Sequence, residues 1–198
     1  DIFVVAVHPS VPVKSVKELI ALAKARPGEL NYSTGTPGGS TTLSGALLKS
    51  MSGVNMVAIP YSGPLIAPVV SGEVHFTILE PRVVMPHAKS GRLRALAVTS
   101  AQPSALAPGL PTVSATGVPG YESVGMTAIF APAKTPGAIV IRLNQEIVRF
   151  LSRPEVKEQF LNRGSEVVAS SPEQFATVMK SDMDKWAKVI KDAGIKVN

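Results

Sequence analysis

Along the first half of the chain, segments with the apolar pattern of a strand alternate with segments that have the apolar pattern of a helix. The continuous apolar run 2–7 is typical of a strand that is buried on both faces. A capping box at 15–18 then begins a series of apolar residues at helical spacing, which predicts a helix that ends near Arg26. Because the alternation recurs with short connections, we expect an α/β fold with a mostly parallel or mixed sheet flanked by helices. The further predicted strands span 30–33, 55–59, 74–79 and 93–99, and the further predicted helices span 41–52, 64–71 and 81–89.

The second half of the chain has a different pattern. Residues 101–120 are rich in Pro, Ser and Gly and predict a loop with one short helix at 112–116, followed by an apolar extended segment at 125–131. Three helices are then predicted at 135–151, 154–164 and 171–193, with a candidate short strand at 165–168. On the last helix, helical spacing places a set of apolar side chains in the core: Phe175, Val178, Met179, Met183, Trp186 and Ile190.

The composition excludes several classes of function. The 198 residues include no cysteine, which excludes disulfides, thiol catalysis and thiolate metal sites. The formal net charge is +6, but basic residues lie among acidic neighbours and aromatic residues make up only 5%, which argues against nucleic-acid binding. A diffuse positive field that attracts small anions is the simpler interpretation. No apolar stretch of the sequence is long enough to cross a bilayer.

The segment 31–53, NYSTGTPGGSTTLSGALLKSMSG, is the strongest candidate for a binding function. Its glycines let the backbone approach a ligand, and its hydroxyl groups can form hydrogen bonds directly before a helix. A helix N-terminus has unpaired N–H groups and partial positive charge, so a carboxylate would suit it. The alternative is an ordinary strand-to-helix turn capped by Ser40 or Thr41, and the residues alone leave both interpretations open. The candidate ligand-binding residues of this segment are Ser33, Thr34, Gly35, Thr36, Gly38, Gly39, Ser40, Thr41 and Thr42.

Two further loops are expected at the same edge of the sheet, since ligands in such sheets lie beyond the carboxyl ends of the strands. One contributes Tyr61, Ser62 and Gly63, and the other contributes Leu79 and Glu80. Glu80 is the only acid in these loops, and it can either accept a hydrogen bond from a ligand or simply begin a helix. Tyr61 can likewise contact a ligand or pack locally.

Catalytic and cofactor motifs are missing from the sequence. His8, His75 and His87 have no second ligand nearby at metal-binding spacing. There is no G-x-S-x-G elbow, and the loop 35–41 has neither the lysine of a Walker loop nor the G-x-G-x-x-G spacing of a dinucleotide site. We therefore predict a protein that is not an enzyme and has no cofactor and no metal.

A series of short motifs runs in order along the whole chain. Among them are S-x-x-E-L-I-A-x-A-K-A-x-P-G-x-L-N-Y at 15–32, P-Y-x-G at 60–63 and G-x-L-R-A-L-A-V-T-S at 91–100. The others lie at 4–10, 110–113, 117–122, 143–144, 154–156, 171–175 and 185–190. In these motifs the chain resembles the solute-binding proteins of tripartite tricarboxylate transporters, the TctC or Bug family. The resemblance implies a two-lobed, type II periplasmic-binding-protein-like fold. It also implies a periplasmic protein without catalysis that delivers a small organic carboxylate to the permease subunits of its transporter.

The resemblance also implies boundaries between structural units. We expect residues 1–8 and 124–131 to be crossover strands, 9–123 to be a complete α/β lobe, and 132–198 to be the helical part of the other lobe. Family members are longer, so we expect about the first hundred residues of that lobe, with the signal peptide, to be lacking here. A partial lobe exposes apolar faces, so a fragment that forms a homodimer, or one that folds without binding ligand, is an alternative.

Three positions depart from the family pattern. Thr42 replaces a common histidine, Leu79 replaces an aspartate, and Met126 replaces a frequent tryptophan. Losing an acid and an imidazole makes the expected pocket more apolar, which favours an aromatic or aliphatic acid over a citrate-like acid. An enzyme acting on small organic acids is a further alternative, but it needs a base and a polarising group, and only Glu80 is a candidate.

Overall fold

A five-stranded sheet with helices on both faces forms the centre of the protein in a computed structural model, which describes residues 1–195. The strands are β1 (Val4–Val7), β2 (Asn31–Thr34), β3 (Val57–Pro60), β4 (Phe76–Leu79) and β5 (Arg94–Val98). The helices are α1 (Val16–Ala25), α2 (Ser40–Ser52), α3 (Ala67–Val70), α4 (Pro81–Lys89), α5 (Val113–Thr116), α6 (Gly137–Leu151), α7 (Pro154–Asn162) and α8 (Pro172–Asp192). Within residues 1–195, no helix combines the length and the apolar character that a membrane span requires.

The sheet is mixed, with the strand order β3-β2-β4-β1-β5. β2 pairs parallel to β3 and β4, whereas β1 runs antiparallel to both β4 and β5. The predicted α/β fold with a mixed sheet flanked by helices is confirmed. The reversed direction of β1 could not be predicted from its sequence, because a strand that is buried on both faces has the same apolar pattern in either direction.

The burial of β1 explains its continuous apolar run. Val5 and Val7 pack into a cluster with side chains of α1 and α2, while Val4 and Ala6 pack into a second cluster with side chains of α3 and α4. All four side chains are completely buried. Successive residues of a strand point to opposite faces, so β1 contributes to both halves of the core.

The C-terminal helices differ in part from the expectation. α8 begins with the predicted capping box at Ser171 and packs against α2, where Val189 is buried. Val178 and Met183 are 49% and 65% exposed, so their predicted place in the core is wrong. Only the last turns of α8 reach the core cluster, through Trp186 and Val189. The candidate strand at 165–168 is also wrong, since no strand forms there.

The segment predicted as the second crossover begins beside the first. Ile2 forms an isolated antiparallel bridge with Val124, and backbone hydrogen bonds of 2.8 Å join Asp1 and Gly125 in both directions. The division into a complete lobe and a partial lobe stays a prediction, and residues 196–198 of the second unit lie outside the described residues.

Candidate functional site

The carboxyl ends of β2, β3 and β4 lie at one edge of the sheet. Thr34 and Pro60 are paired in parallel register at the ends of β2 and β3, and Tyr32 is level with Phe76 of β4. The backbone N–H of Tyr61 donates to the carbonyl oxygen of Thr34 at 2.9 Å, which ties the loop after β3 to the end of β2. The three loops predicted from the sequence therefore follow neighbouring strands at the same edge.

The loop after β2 delivers the N-terminus of α2 to this edge. Gly38 has a φ of +79°, a conformation that glycine adopts without strain, and Gly39 donates to the carbonyl oxygen of Thr36 at 3.0 Å. The N-cap is Gly39 rather than Ser40 or Thr41, and in the described structure no side chain caps the helix. The first-turn N–H groups of α2, which an ordinary cap would engage, therefore stay available to an anion.

The two threonines of the first turn hold the loop in place. Thr41 Oγ1 accepts a hydrogen bond from the N–H of Gly35 at 3.3 Å. Thr42 Oγ1 donates to the carbonyl oxygen of Thr36 at 3.0 Å and also lies 3.5 Å from that of Gly35. These hydroxyl groups point back onto the loop, so they shape the candidate site, whereas Thr36 and Ser40 are exposed at its surface.

Two candidate residues of β2 lie beneath the loop. Ser33 is 1% exposed, and its hydroxyl group donates to Oγ1 of Thr77 on β4 at 2.8 Å. Thr34 is also buried and offers its carbonyl oxygen to the loop after β3. Both residues support the edge of the sheet from below. Their side chains are not at the surface where a ligand would arrive.

In the loop after β3, Tyr61 makes a local hydrogen bond, which is the second of the two roles expected for it. The hydroxyl group of Tyr61 donates to Oε1 of Glu73 at 2.7 Å, and this bond is the main reason that the pKa of Tyr61 is raised above 10.0. No motif in the sequence marks Glu73 as the partner of Tyr61. Ser62 and Gly63 are exposed, and Leu65 of the same connection lies 3.7 Å from where a Cβ on Gly35 would be. This connection therefore forms a wall beside the glycine loop.

Leu79 and Glu80 end the neighbouring strand. The Leu79 side chain is only 4% exposed and belongs to the core cluster beneath α4, so this residue presents its backbone to the edge. Glu80 is the N-cap residue of α4, but its carboxylate makes no capping hydrogen bond. Glu80 is half-buried, and its carboxylate accepts no hydrogen bond from the first turn of its own helix.

The close approach of α2 to the sheet depends on Gly45, which sequence analysis did not single out. A Cβ added there would lie 2.3 Å from Cε2 of Tyr32, whose ring stacks on Phe76 at a centroid distance of 4.9 Å. Burial raises the pKa of Tyr32 to about 12. The only sequence signal for this contact is a pair of small residues, Ser44 and Gly45, in the middle of an amphipathic helix.

A buried polar network joins α2 to the segment before the second crossover. The hydroxyl groups of Ser44 and Ser123 are 2.7 Å apart, and the hydroxyl group of Tyr121 donates to the carbonyl oxygen of Ser44 at 3.0 Å. Burial strongly raises the pKa of Tyr121, so its phenol stays protonated. The network joins the middle of α2 to Tyr121 and Ser123.

The unpaired first-turn N–H groups of α2 are hydrogen-bond donors of the kind that can bind an anion. Among the described residues, no group of acidic or histidine side chains could hold a metal ion. The candidate residues offer backbone N–H groups, small side chains and the carboxylate of Glu80, and beside them Tyr61 is paired with Glu73.

Comparison with known proteins places these features in a family. A family model described as "TctC: Tripartite tricarboxylate transporter family receptor" matches residues 1–195. Protein BugT of Bordetella pertussis is 32% identical over 196 residues, which are 98% of this chain and 60% of BugT. A UPF0065 protein from the tcbD-tcbE intergenic region of a Pseudomonas species is 31% identical over 188 residues, 93% of this chain and 56% of that protein. The chain thus spans less than two thirds of the length of these relatives.

Solved structures share the fold over nearly the whole chain. The structure titled "R. palustris Rpa4515 with adipate" is 36% identical with a TM-score of 0.81, and the match covers 98% of this chain and 66% of that one. The periplasmic binding protein BugD is 25% identical with a TM-score of 0.73, covering 98% and 67% respectively. The resemblance seen in the sequence motifs is confirmed, and the chain belongs to the TctC family of tripartite tricarboxylate transporter receptors.

Proposed function

We propose that this chain is the ligand-binding part of a periplasmic solute-binding protein. It captures a small organic carboxylate and delivers it to the membrane permease subunits of a tripartite tricarboxylate transporter. The observation that carries the proposal is the N-terminus of α2, which begins at Gly39 without a side-chain cap at the edge where β2, β3 and β4 end. The first-turn N–H groups would bind one carboxylate group of the ligand.

The family and the neighbouring structures support the class of ligand. Rpa4515, the 36% identical relative, is described with adipate, an aliphatic dicarboxylate. The departures at Thr42 and Leu79, which lack the imidazole and the acid common in the family, favour an aliphatic or aromatic acid over citrate. Adipate is therefore the first ligand to test.

Catalysis has little support at this site. A reaction on a small acid needs a general base and a polarising group at the same place. Glu80 is the only carboxylate among the candidate residues of these loops, and the phenol of Tyr61 donates to Glu73 instead. Glu80 would instead accept a hydrogen bond from the hydroxyl or amino group of a ligand that carries one, which adipate does not.

Thermal unfolding of the 198-residue chain with a panel of acids tests the proposal. A ligand that binds only the folded state raises the unfolding midpoint as its concentration rises. We expect adipate to raise the midpoint, and citrate and benzoate to have smaller effects. If no carboxylate raises the midpoint, the alternative of a chain that folds without binding ligand is favoured.

A further inference from the structure

A shallow groove lies between the last turns of α4 and the start of β5. Its volume is about 450 Å³, which falls within the range of roughly 300–1,000 Å³ that is typical of small-molecule sites. Most of its lining is apolar and includes Met85, Leu93 and Leu110, and its two charged residues are Lys89 and Arg94. The groove therefore combines two cations with an apolar surface.

The charge of the chain around this groove has one sign. Residues 81–121 contain no Asp or Glu, but they contain four basic residues, which are Arg82, Lys89, Arg92 and Arg94. Among residues 1–195, neither Lys89 nor Arg94 forms a salt bridge with a carboxylate. Cations attract an anion more strongly beside an apolar wall than in open water, because the wall lowers the local dielectric constant. The groove is therefore suited to an anionic group.

The guanidinium group of Arg94 is held in place at the groove. Its Nη1 donates to the carbonyl oxygen of Val13 at 2.8 Å and to that of Val11 at 3.2 Å, and Arg94 is half-buried. A guanidinium group has five N–H donors, so these two bonds leave donors for an anion. Lys89, the last residue of α4, is exposed, and its flexible side chain can reach a bound anion from the other side.

The groove and the candidate carboxylate site lie at opposite edges of the sheet. Arg94, the first residue of β5, pairs with Val7, and Val7 pairs with Phe76, the first residue of β4. The candidate site lies where β4 ends, beside the N-terminus of α2. A ligand in the groove would therefore occupy a separate place on the protein.

We propose that this groove is a second binding site, which takes a monocarboxylate with an apolar chain of medium length. The carboxylate lies between Lys89 and Arg94, and the chain packs on the apolar lining. A dicarboxylate such as adipate fits less well, because its second charged group would lie against apolar side chains. The inference goes beyond the proposed function and does not depend on anion binding at α2.

Octanoate is the probe for this site, and the amide spectrum of the ¹⁵N-labelled 198-residue chain shows where it binds. We expect saturable shifts of the amide signals of residues 88–95, and a higher affinity for octanoate than for acetate, which lacks the chain, or for 1-octanol, which lacks the charge. Octanoate shifts confined to Ser40, Thr41 and Thr42, or no saturable shifts, would overturn the proposal. So would 1-octanol that binds the groove as tightly as octanoate. Adipate shifts at α2 test the proposed function separately in the same spectrum.

Lys89→Gln removes one cation from the groove, and Lys24→Gln is its matched control. Both lysines are exposed in the last turn of a helix, α4 and α1 respectively, so both substitutions remove the same favourable charge from a helix C-terminus. Lys89→Gln should lower the affinity for octanoate by about fivefold, the upper range for an exposed ion pair, and Lys24→Gln should leave it unchanged.

Ala88→Leu fills the groove without changing its charge. Ala88 is half-buried in the groove lining, so a longer side chain there would occupy the space of the ligand chain and should lower the affinity for octanoate as well. Equal affinities of Lys89→Gln and Lys24→Gln for octanoate would overturn the proposal. A folded Ala88→Leu variant that binds octanoate as tightly as the unmodified chain would also overturn it.

Discussion

The substitution Gly39→Asp separates the stability of α2 from its capacity to bind an anion. Gly39 is the N-cap, with a φ of −69° and a ψ of 158°, a backbone conformation that any L-residue can adopt. An aspartate there can cap the first turn with its own carboxylate. The side chain would occupy the N–H groups that the proposal assigns to the ligand and would place a negative charge beside them.

The effect on stability should be small because two terms oppose each other. Replacing Gly by Asp at an N-cap gains a few tenths of a kcal/mol, and a negative charge at a helix N-terminus adds about 0.3–1 kcal/mol. Against this, the new Cβ would lie 3.1 Å from the carbonyl oxygen of Thr36, so the loop must shift slightly. We expect the free energy of unfolding to change by less than about 1 kcal/mol.

The effect on binding should be large. Hydrogen bonds to a charged group contribute about 1.5–3 kcal/mol each. Losing one or two of them from the ligand carboxylate lowers affinity at least about tenfold, since 1.4 kcal/mol corresponds to a factor of ten. Isothermal titration of adipate measures the affinity, and urea unfolding measures the stability of the same sample.

Gly137→Asp is the control for this experiment. Gly137 is the first residue of α6, and among residues 1–195 no atom other than its chain neighbours and the nearby backbone of its own helix lies within 4 Å of where its Cβ would be. The control makes the same chemical change at the first turn of another helix, and it should leave adipate affinity unchanged. Adipate that binds Gly39→Asp as tightly as the unmodified chain would refute the assignment of the α2 N-terminus as the carboxylate site.

Three further substitutions test the surroundings of the site. Gly45→Ala should lower the free energy of unfolding, measured by urea unfolding, by about 1–3 kcal/mol, because the new Cβ would overlap the ring of Tyr32. Alanine normally stabilises a helix more than glycine does, so greater stability of this variant would contradict the packing described. Thr42→Val removes the hydroxyl group that holds the glycine loop and should weaken adipate binding several-fold, whereas Thr42→Ser should restore it; equal affinities would show that this bond does not shape the site. Glu73→Gln should bring the pKa of Tyr61 back towards 10.0 in an ultraviolet titration, because the carboxylate of Glu73 stabilises the protonated phenol. This stabilisation is present below pH 10 and is lost as the pH rises through the raised pKa of Tyr61. An unchanged pKa of Tyr61 would contradict the pairing.

The periodicity of apolar residues predicted strands and helices well where the residues of a segment alone determine its secondary structure. The five strands and the helices α1, α2, α4, α6 and α7 lie close to their predicted positions. The direction of a strand and the long-range contacts of a helix depend on partner elements, which the local pattern of residues does not encode. The reversed β1 and the exposed Val178 and Met183 are examples, because each depends on which other element is adjacent.

The candidate site was predicted in outline but not in its internal bonding. The sequence indicated the glycine loop and the helix after it, and these meet the edge of the sheet as expected. It could not show that Gly39 is the N-cap, that the hydroxyl groups of Thr41 and Thr42 turn inward, or that Tyr61 pairs with Glu73. The N-cap depends on the local backbone geometry, the two threonines depend on their side-chain rotamers, and the pairing of Tyr61 depends on Glu73, which lies 12 residues away in sequence.

The most direct test of carboxylate binding at α2 is the amide spectrum of the ¹⁵N-labelled chain during an adipate titration. The proposed site predicts saturable shifts of the backbone amide signals of Ser40, Thr41 and Thr42, with smaller shifts in the glycine loop before them. If adipate leaves these three amide signals unchanged while it saturates another part of the chain, or if it shifts no signals at all, the central claim is contradicted.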